Sequence, residues 1–301
     1  MRPGGGAPSS LRGPPVFRPP TQVDPKGHGS FVLIWSFAAL LPVVGLVLWS
    51  VLSMQNFRLV WEPSLQAYYD VLASGRWEVT VRTLRIAAIV TLIEIVLAVP
   101  FALWIAKGTR SIAVRTTCLG LLTIPFFLSL ASRTIVWRGI LGLNGPLNAV
   151  LMHLGIVDQP LDWLLFSEFS VVLGLIGPYF PPMVFPLFLA FALIDDEVLE
   201  ASKDLGAPPS FTFLHVILPL AMPGLGAGIV FTFVPMIGDP VVPALLGGGN
   251  VIVLSASVQS LLRILNYTVA AALSVLMLAI LVAIIGAAGA LSARMARGRL
   301  A

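Results

Sequence analysis

Long blocks of apolar residues, separated by short polar segments, form the dominant pattern along this chain. A helix of about 20 apolar residues is long enough to cross the hydrocarbon core of a bilayer. The blocks predict six spanning helices, at about 31–52, 79–106, 116–141, 169–194, 218–237 and 269–293. The fourth block contains four prolines, so we expect this helix to be kinked or locally unwound. The pattern therefore predicts an all-α membrane protein with six transmembrane helices.

Basic residues predict the orientation of these helices. Lys and Arg are enriched in the cytoplasmic loops of membrane proteins, above all near the ends of spanning helices. One basic cluster, Lys107, Arg110 and Arg115, follows the second block, and another occupies the C-terminal segment 294–301. Six spans put both clusters on the same side as the N-terminus. We therefore predict that both termini are cytoplasmic (N-in/C-in).

Composition agrees with a membrane protein and sets the predicted domains. Of 301 residues, 57% are hydrophobic and 11% are charged, whereas about 25% of residues in soluble domains are charged. The net charge of +4 is explained by cytoplasmic Lys and Arg, without nucleic-acid binding. Residues 1–30 contain seven prolines and six glycines, which predicts a disordered cytoplasmic tail. A transmembrane domain, 31–293, and a basic cytoplasmic C-terminus, 294–301, follow it.

The segment between the fourth and fifth blocks, 195–219, has the pattern of two short helices joined by a turn. Three acidic residues open it, and negative charge is favourable at a helix N-terminus. Gly206 suits the left-handed conformation that ends a helix, and Pro208 prevents the helix from continuing. Pro209 suits the first position of a second helix. A cytoplasmic segment of this shape is either a docking site for another protein or a plain amphipathic connector.

This segment resembles the EAA loop of ABC importer permeases, and we call residues 195–219 the EAA segment. It reads Glu200-Ala201-Ser202, three residues, Gly206, nine residues, and then Val216-Ile217-Leu218-Pro219. The family pattern is E-A-A, three residues, G, nine residues, I-x-L-P, so Ser202 and Val216 are conservative departures. The resemblance implies that the segment binds a groove of an ATPase subunit and transmits ATP-driven closure. The coupling residues that it implies are Glu200, Ala201, Ser202, Gly206, Ala207 and Pro219.

Two further stretches resemble the spermidine/putrescine-type importer permeases. Residues 123–127, Thr-Ile-Pro-Phe-Phe, are followed by Arg133 and Trp137 as in the third span of that type. Residues 238–248 resemble its G-E-F-V-I-P-x-L-L-G-G stretch, with Asp239 in place of Glu. The resemblance implies an ABC type I importer permease fold and a multi-pass permease subunit of a binding-protein-dependent polyamine importer in the bacterial inner membrane.

The resemblance also implies the partners of the chain. These are a dimer of ABC ATPase subunits, a second permease subunit of the same family, an extracytoplasmic solute-binding protein and the lipid bilayer. ATP and Mg would be used by the ATPase subunits, and we expect no cofactor on this chain. Relatives import iron(III), phosphonates, opines and other solutes, so a permease for another small solute is the alternative.

Four residues in or near the spans are candidates for contact with solute, and a fifth is a candidate for a gate or structural role. Glu94 lies in the middle of the second block, where a carboxylate is costly unless water, a partner or a solute compensates it. It either lines the pathway of a cationic solute or pairs with Arg133 or Arg138. Aromatic faces bind ammonium groups. We predict a solute pathway containing Glu94, Tyr179, Asp239 and Trp137, and we predict that Arg133 has a gate or structural role.

Two of these residues have a second interpretation. Asp239 precedes a proline, and Asp-Pro is common in turns, so its carboxylate either meets the solute or shapes a turn. Tyr179 lies between prolines of the fourth block. Its ring either lines the pathway or packs in the protein core.

Other functional classes have no support in the sequence. The histidines, at positions 28, 153 and 215, fall in different predicted loops, so we expect neither a catalytic site nor a metal site. No P-loop is present, so we expect ATP hydrolysis in a separate subunit and not in this chain. A membrane enzyme or a secondary transporter would leave the EAA segment unexplained.

Overall fold

The computed structural model describes residues 25–55, 58–73 and 75–297. Most of the predicted tail lies outside the described residues, and helix α1 (Pro25–Ser50) begins before the predicted boundary at residue 30. The described residues up to Gly45 belong to one compact unit, and the described residues from Leu46 onward belong to a second. The end of the predicted basic C-terminus, 298–301, also lies outside the described residues.

Helices make up most of the second unit. In chain order they are α2 (Gln66–Ala73), α3 (Arg76–Leu103), α4 (Ile112–Phe127), α5 (Leu130–Leu141), α6 (Pro146–His153), α7 (Glu168–Ala192), α8 (Asp196–Asp204), α9 (Pro209–Thr212), α10 (Leu218–Ile237), α11 (Val241–Leu246), α12 (Leu254–Arg263) and α13 (Tyr267–Arg297). A π-helical turn, Trp104–Gly108, continues α3, and a second one, Phe213–Ile217, joins α9 to α10. A 3-10 turn covers Asp162–Leu164.

A small hairpin departs from the predicted all-α class. Strands β1 (Leu52–Gln55) and β2 (Arg58–Pro63) pair antiparallel, with Met54 opposite Leu59. Val60 and Trp61 have side chains that favour strands. The hairpin lies in the loop predicted between the first two spans, where the pattern of apolar blocks carries no information about short strands. The protein is therefore mostly helical rather than all-α.

Four helices are long and apolar enough to cross a membrane: Trp77–Gly108, Glu168–Ala192, Pro209–Ile237 and Tyr267–Gly286. The bent pair Ile112–Phe127 and Leu130–His153 makes a fifth if it is counted as one span. In α1, Trp35–Ser50 forms a shorter apolar helix, counted only over the residues whose side chains are described. The described residues thus contain four or five candidate spans, where the sequence predicts six.

The third predicted span, 116–141, is not one helix. Helices α4 and α5 meet at a bend of 97°. Leu128 is extended between them (φ −101°, ψ 136°), and Ser129 caps α5 by accepting a hydrogen bond from the Ser132 amide (3.1 Å). Pro125 lies in the last turn of α4. A capping serine shortly after a proline favours the start of a new helix, and this local signal prevails over continuous hydropathy.

The fourth predicted span is continuous. Helix α7 runs from Glu168 to Ala192 through its four prolines, so it is not locally unwound, and the kink that we expect as the alternative stays a prediction. Close packing supports the helix where backbone donors are missing, because α7 packs against both α3 and α10. A Cβ atom at Gly224 of α10 would lie 2.4 Å from the Ala190 Cβ atom of α7, so only glycine permits this close approach.

Candidate functional site

Helix α8 of the EAA segment forms as the sequence predicts. Asp196 and Glu197 lie in its first turn and Lys203 lies in its last turn, so charges at both ends complement the helix dipole. The Lys107 ammonium donates a hydrogen bond to Asp196 (Nζ–Oδ1 2.6 Å). This contact holds the pKa of the Asp196 carboxyl below its ordinary value. The first turn of α8 is therefore anionic and tied to the end of the α3 span.

The turn between α8 and α9 has the predicted conformation at Gly206. Its φ is +76°, which is left-handed. The Gly206 amide donates to the Lys203 carbonyl (2.8 Å) and the Ala207 amide donates to the Ser202 carbonyl (3.1 Å), as in a helix C-cap. Helix α9 then begins at Pro209, which occupies the first helical position.

The EAA segment encloses an apolar groove. Its volume is about 500 Å³, and its lining residues are Val198, Ala201, Ser202, Leu205, Ala207, Pro208, Phe211 and Val216. Leu205 is 88% exposed. Glu200 is exposed on α8, whereas Pro219 lies in the first turn of α10, outside the groove. The structure thus brings Ala201, Ser202 and Ala207 to one surface.

A buried hydroxyl pair joins the two helices of the EAA segment. Ser202 Oγ and Thr212 Oγ1 lie 2.8 Å apart, and both side chains are buried. Ser202 stands where the EAA pattern has alanine, so this departure acquires a partner in Thr212. Sequence reasoning missed Thr212, although a hydroxyl residue in the second predicted helix is a usable signal for such a partner.

Two buried carboxylates belong to a second group of candidate residues. We call Glu94, Arg133, Tyr179, Thr232 and Asp239 the polar cluster. Glu94 has no exposed surface, and neither of its carboxylate oxygens has a hydrogen-bond partner within 3.5 Å, although the Thr232 hydroxyl is close enough to interact with the carboxylate. Asp239 is 5% exposed; its Oδ1 accepts from the Val241 amide (2.7 Å), whereas its Oδ2 has no partner within 3.5 Å, although the Tyr179 hydroxyl is close enough to interact with the carboxylate. Buried carboxyl groups whose oxygens lack close partners are costly and mark candidate functional positions.

Tyr179 connects the members of the polar cluster. Its side chain lies within electrostatic range of Asp239, Arg133 and Glu94. Its carbonyl accepts a hydrogen bond from Thr232 Oγ1 (3.4 Å). Thr232 is a cluster member that sequence reasoning missed, although a polar residue in an apolar span is a signal that could have identified it. The structure therefore brings together Glu94, Tyr179, Asp239 and Arg133, which come from separate spans.

A cavity of about 200 Å³ opens beside the polar cluster. Its lining residues are Pro125, Phe126, Leu130, Arg133, Pro178, Tyr179, Pro182, Phe231 and Pro235. The Arg133 Nε atom is buried without a hydrogen-bond partner. Glu94 is not among the lining residues. Trp137 packs against the apolar core that contains Tyr179, which leaves its ring outside this cavity.

The geometry bears on the alternatives that the sequence leaves open. Among the described residues, Glu94 forms no ion pair with Arg133 or Arg138. The Arg138 guanidinium instead lies over the Phe166 ring, 5.5 Å from its centroid. The hydrogen bond from Val241 gives Asp239 the geometry of a turn residue. That role uses only one carboxylate oxygen, so a ligand could still bind the other.

Residues 87–297 match the family described as binding-protein-dependent transport system inner membrane component. This match covers more than half of the sequence. The chain belongs to this family. It is therefore the permease subunit of an ABC importer and a multi-pass membrane protein, which confirms the family that the EAA segment predicts.

Individual relatives agree with this assignment. The spermidine/putrescine transport system permease protein PotB of Escherichia coli is 36% identical over 195 residues, covering 63% of this chain and 70% of the relative. The crystal structure of a bacterial ABC transporter involved in alginate import has a TM-score of 0.67 at 17% identity, covering 89% of this chain and 94% of the other. The same kind of transporter, crystallised with an alginate pentasaccharide-bound periplasmic protein, has a TM-score of 0.69 at 18% identity, covering 90% and 94%. At these identities the two crystal structures support the fold alone.

Proposed function

We propose that this permease imports polyamines across the bacterial inner membrane, receiving spermidine or putrescine from an extracytoplasmic binding protein. The name of the PotB relative supports this solute class. The polar cluster supports it independently, because two buried carboxylates beside a tyrosine suit a solute with ammonium groups. The solute pathway of this proposal contains Tyr179, Asp239, Glu94 and Trp137, with Arg133 as a gate or structural residue.

The shape of the EAA segment is the observation that carries the transport proposal. Its two helices fold around Gly206 and leave an apolar groove with Leu205 exposed at its edge. An exposed apolar surface of this kind is typical of a protein interface. We assign it to a dimer of ATPase subunits, with Glu200 available to a basic side chain. ATP and Mg belong to those subunits in this proposal, and this chain holds no cofactor.

Helix α10 carries the surface that we assign to a second permease subunit. Helix α10 belongs to the candidate span Pro209–Ile237, and only 17% of the most apolar stretch of this span is buried within the chain. The corresponding value for the span Trp77–Gly108 is 44%. A groove of about 760 Å³ lies beside it, with Phe185, Leu189 and Phe231 in its wall. A second permease of the same family on this face would place a solute pathway between the two subunits. With the ATPase inside and six spans, both termini face the cytoplasm.

Arg133 supports a second candidate solute class. Its guanidinium lines the cavity beside Tyr179, and its Nε atom has no partner in the described part of the chain. A polyamine would be repelled there, whereas the carboxylate of an opine or the anion of a phosphonate would be attracted. A permease for such a small anionic or zwitterionic solute is therefore the alternative.

Reconstitution of the complete importer tests both candidates. The permease pair, the ATPase subunits and the binding protein are placed in proteoliposomes, and ATP-dependent uptake of labelled spermidine is measured. We expect uptake that unlabelled putrescine reduces and that opines, phosphonates and iron(III) do not. Competition by an opine or phosphonate alone would support the alternative. Uptake without the ATPase subunits would contradict the importer mechanism itself.

A further inference from the structure

Lys107 connects parts of the chain that are 89 residues apart. It lies in the π-helical turn Trp104–Gly108, at the end of the span formed by α3. Its ammonium donates one hydrogen bond to Asp196 Oδ1 (2.6 Å) and another to the Ile194 carbonyl (2.5 Å). Ile194 follows α7 and Asp196 begins α8. The Lys107 ammonium therefore binds one residue that follows the α7 span and one residue that begins α8 of the EAA segment.

These contacts give hydrogen-bond donors to two acceptors at the junction between α7 and α8, a backbone carbonyl and a carboxylate. Carbonyls at the end of a helix lack intrahelical donors, and a cation is favourable there. Asp195, the N-cap of α8, makes no side-chain capping bond. The Lys107 side chain is only 19% exposed, whereas the Asp196 side chain is 76% exposed. The ammonium is thus held by the protein, unlike the freely solvated end of a typical surface lysine.

The backbone before Lys107 is braced as well. Arg115 of α4 donates from Nε to the Ile105 carbonyl (3.1 Å) and from Nη2 to the Ala106 carbonyl (2.8 Å). Both Ile105 and Ala106 are buried. π-Helical turns are rare and often occur at functional sites. Here the turn sets the direction in which Lys107 leaves the helix, and Arg115 fixes that turn.

We propose that Lys107 is a positioning residue for energy coupling, which ties the EAA segment to α3 so that movement of α8 is passed directly to α3. This inference rests on the proposed function, because it assumes that an ATPase subunit moves α8. Apart from the tie, α8 joins the spans along the backbone, through Asp195 on one side and α9 on the other, and through Leu199, which packs against the buried apolar cluster that contains Ala106 and Phe191. Helix α3 also carries Glu94, so the tie leads from the EAA segment to the helix of the polar cluster.

Substitution of Lys107 in the reconstituted importer tests this role. Lys107→Met keeps the length of the side chain but removes both hydrogen bonds. We expect normal assembly and nearly normal ATP hydrolysis with uptake reduced about fivefold, within the usual range for interrupted coupling contacts. The ratio of ATP hydrolysed to solute imported would then rise. Lys107→Arg should restore part of the uptake, and Arg110→Met, which removes a nearby exposed charge, should leave the ratio unchanged.

A covalent tie gives a second test that does not depend on the folding of Lys107→Met. Lys107→Cys and Asp196→Cys are combined in a Cys118→Ser background and joined by a short bifunctional thiol reagent. We expect poor coupling before the reaction and recovery after it. Equal coupling before and after would overturn the role of Lys107, as would uptake and ATP hydrolysis falling in parallel in Lys107→Met. If the wild-type importer itself showed no ATP-dependent uptake, the proposed function would fail instead.

Discussion

The EAA segment and the polar cluster differ in how their polar groups are satisfied. In the EAA segment, the amides of Gly206 and Ala207 have backbone partners, and the buried hydroxyls of Ser202 and Thr212 bind each other. In the polar cluster, both oxygens of Glu94 and one oxygen of Asp239 have no hydrogen-bond partner within 3.5 Å, and their neighbours are the hydroxyls of Thr232 and Tyr179. A satisfied element is built to keep its shape. A cluster with unpaired buried oxygens is built to interact with something else, or to rearrange.

The two regions also differ in how far apart their contacting residues lie in the sequence. This separation determines whether a region can be recognised from the sequence alone. The EAA segment is formed by contacts between residues that are close in sequence, so its spacing alone is informative. The polar cluster is assembled from α3, α5, α7, α10 and the residue that follows Gly238, so its members meet only in the folded chain. Substitutions in each region test this contrast between the EAA segment, which is built to keep its shape, and the polar cluster, which is built to bind a ligand.

The largest effect is expected from Gly206→Val. A β-branched residue at φ +76° costs about 1–3 kcal/mol, which would be lost from the turn that orients α8 against α9. We expect permease-stimulated ATP hydrolysis and uptake to collapse while membrane insertion persists. Gly206→Asn should retain more activity, because asparagine tolerates this conformation better. Gly120→Val, at an open position in α4, is the matched control. Normal coupled ATP hydrolysis in Gly206→Val would remove the EAA segment from coupling.

A smaller effect, on uptake alone, is expected from Glu94→Gln in the polar cluster. Glutamine keeps the size of the side chain but removes the ionisable carboxyl, and it breaks no ion pair among the described residues. We expect polyamine uptake to fall about tenfold, equivalent to about 1.4 kcal/mol, with assembly and basal ATP hydrolysis unchanged. Glu62→Gln, the same change at an exposed position, should have no effect. Loss of assembly that neutralising Arg133 restores would instead indicate a hidden ion pair.

The sequence predicts the EAA segment nearly completely and the polar cluster only in part. Helix α8, the left-handed Gly206 and the start of α9 follow from caps and prolines. Glu94 stands out as a carboxylate in an apolar block, but its distance from Arg133 depends on packing. The break at Ser129 was missed because hydropathy does not register a capping side chain. Thr212, Thr232 and Lys107 acquire their significance only from partners brought close by the fold.

Glu200→Lys is expected to weaken assembly with the ATPase subunit moderately, without changing the fold of the permease. Glu200 is exposed on α8, so reversal of its charge disturbs no internal contact and acts only on a partner. We expect weaker copurification with the ATPase subunit by about 1 kcal/mol or somewhat more, through juxtaposition of like charges. A charge reversal on the ATPase should partly restore binding. Asp158→Lys, in a predicted external loop, is the control. A crosslink to the ATPase from a cysteine at Ala207 would be absent if docking lies elsewhere.

The smallest effect on uptake is expected from the hydroxyl pair, whose substitution changes stability and tests whether the EAA segment depends on satisfied polar groups. Ser202→Ala restores the alanine of the family pattern yet strands the buried Thr212 hydroxyl, at a cost of about 1–3 kcal/mol. Thr212→Val strands Ser202 in the same way, whereas the double substitution removes both hydroxyls and should be nearly neutral. Thermal unfolding of the purified permease should therefore show two destabilised single variants and a recovered double variant. Ser210→Ala, at an exposed position of α9, should leave unfolding unchanged. Strictly additive losses in the double variant would mean that the two hydroxyls act independently, and that the departure from alanine at Ser202 has no structural partner.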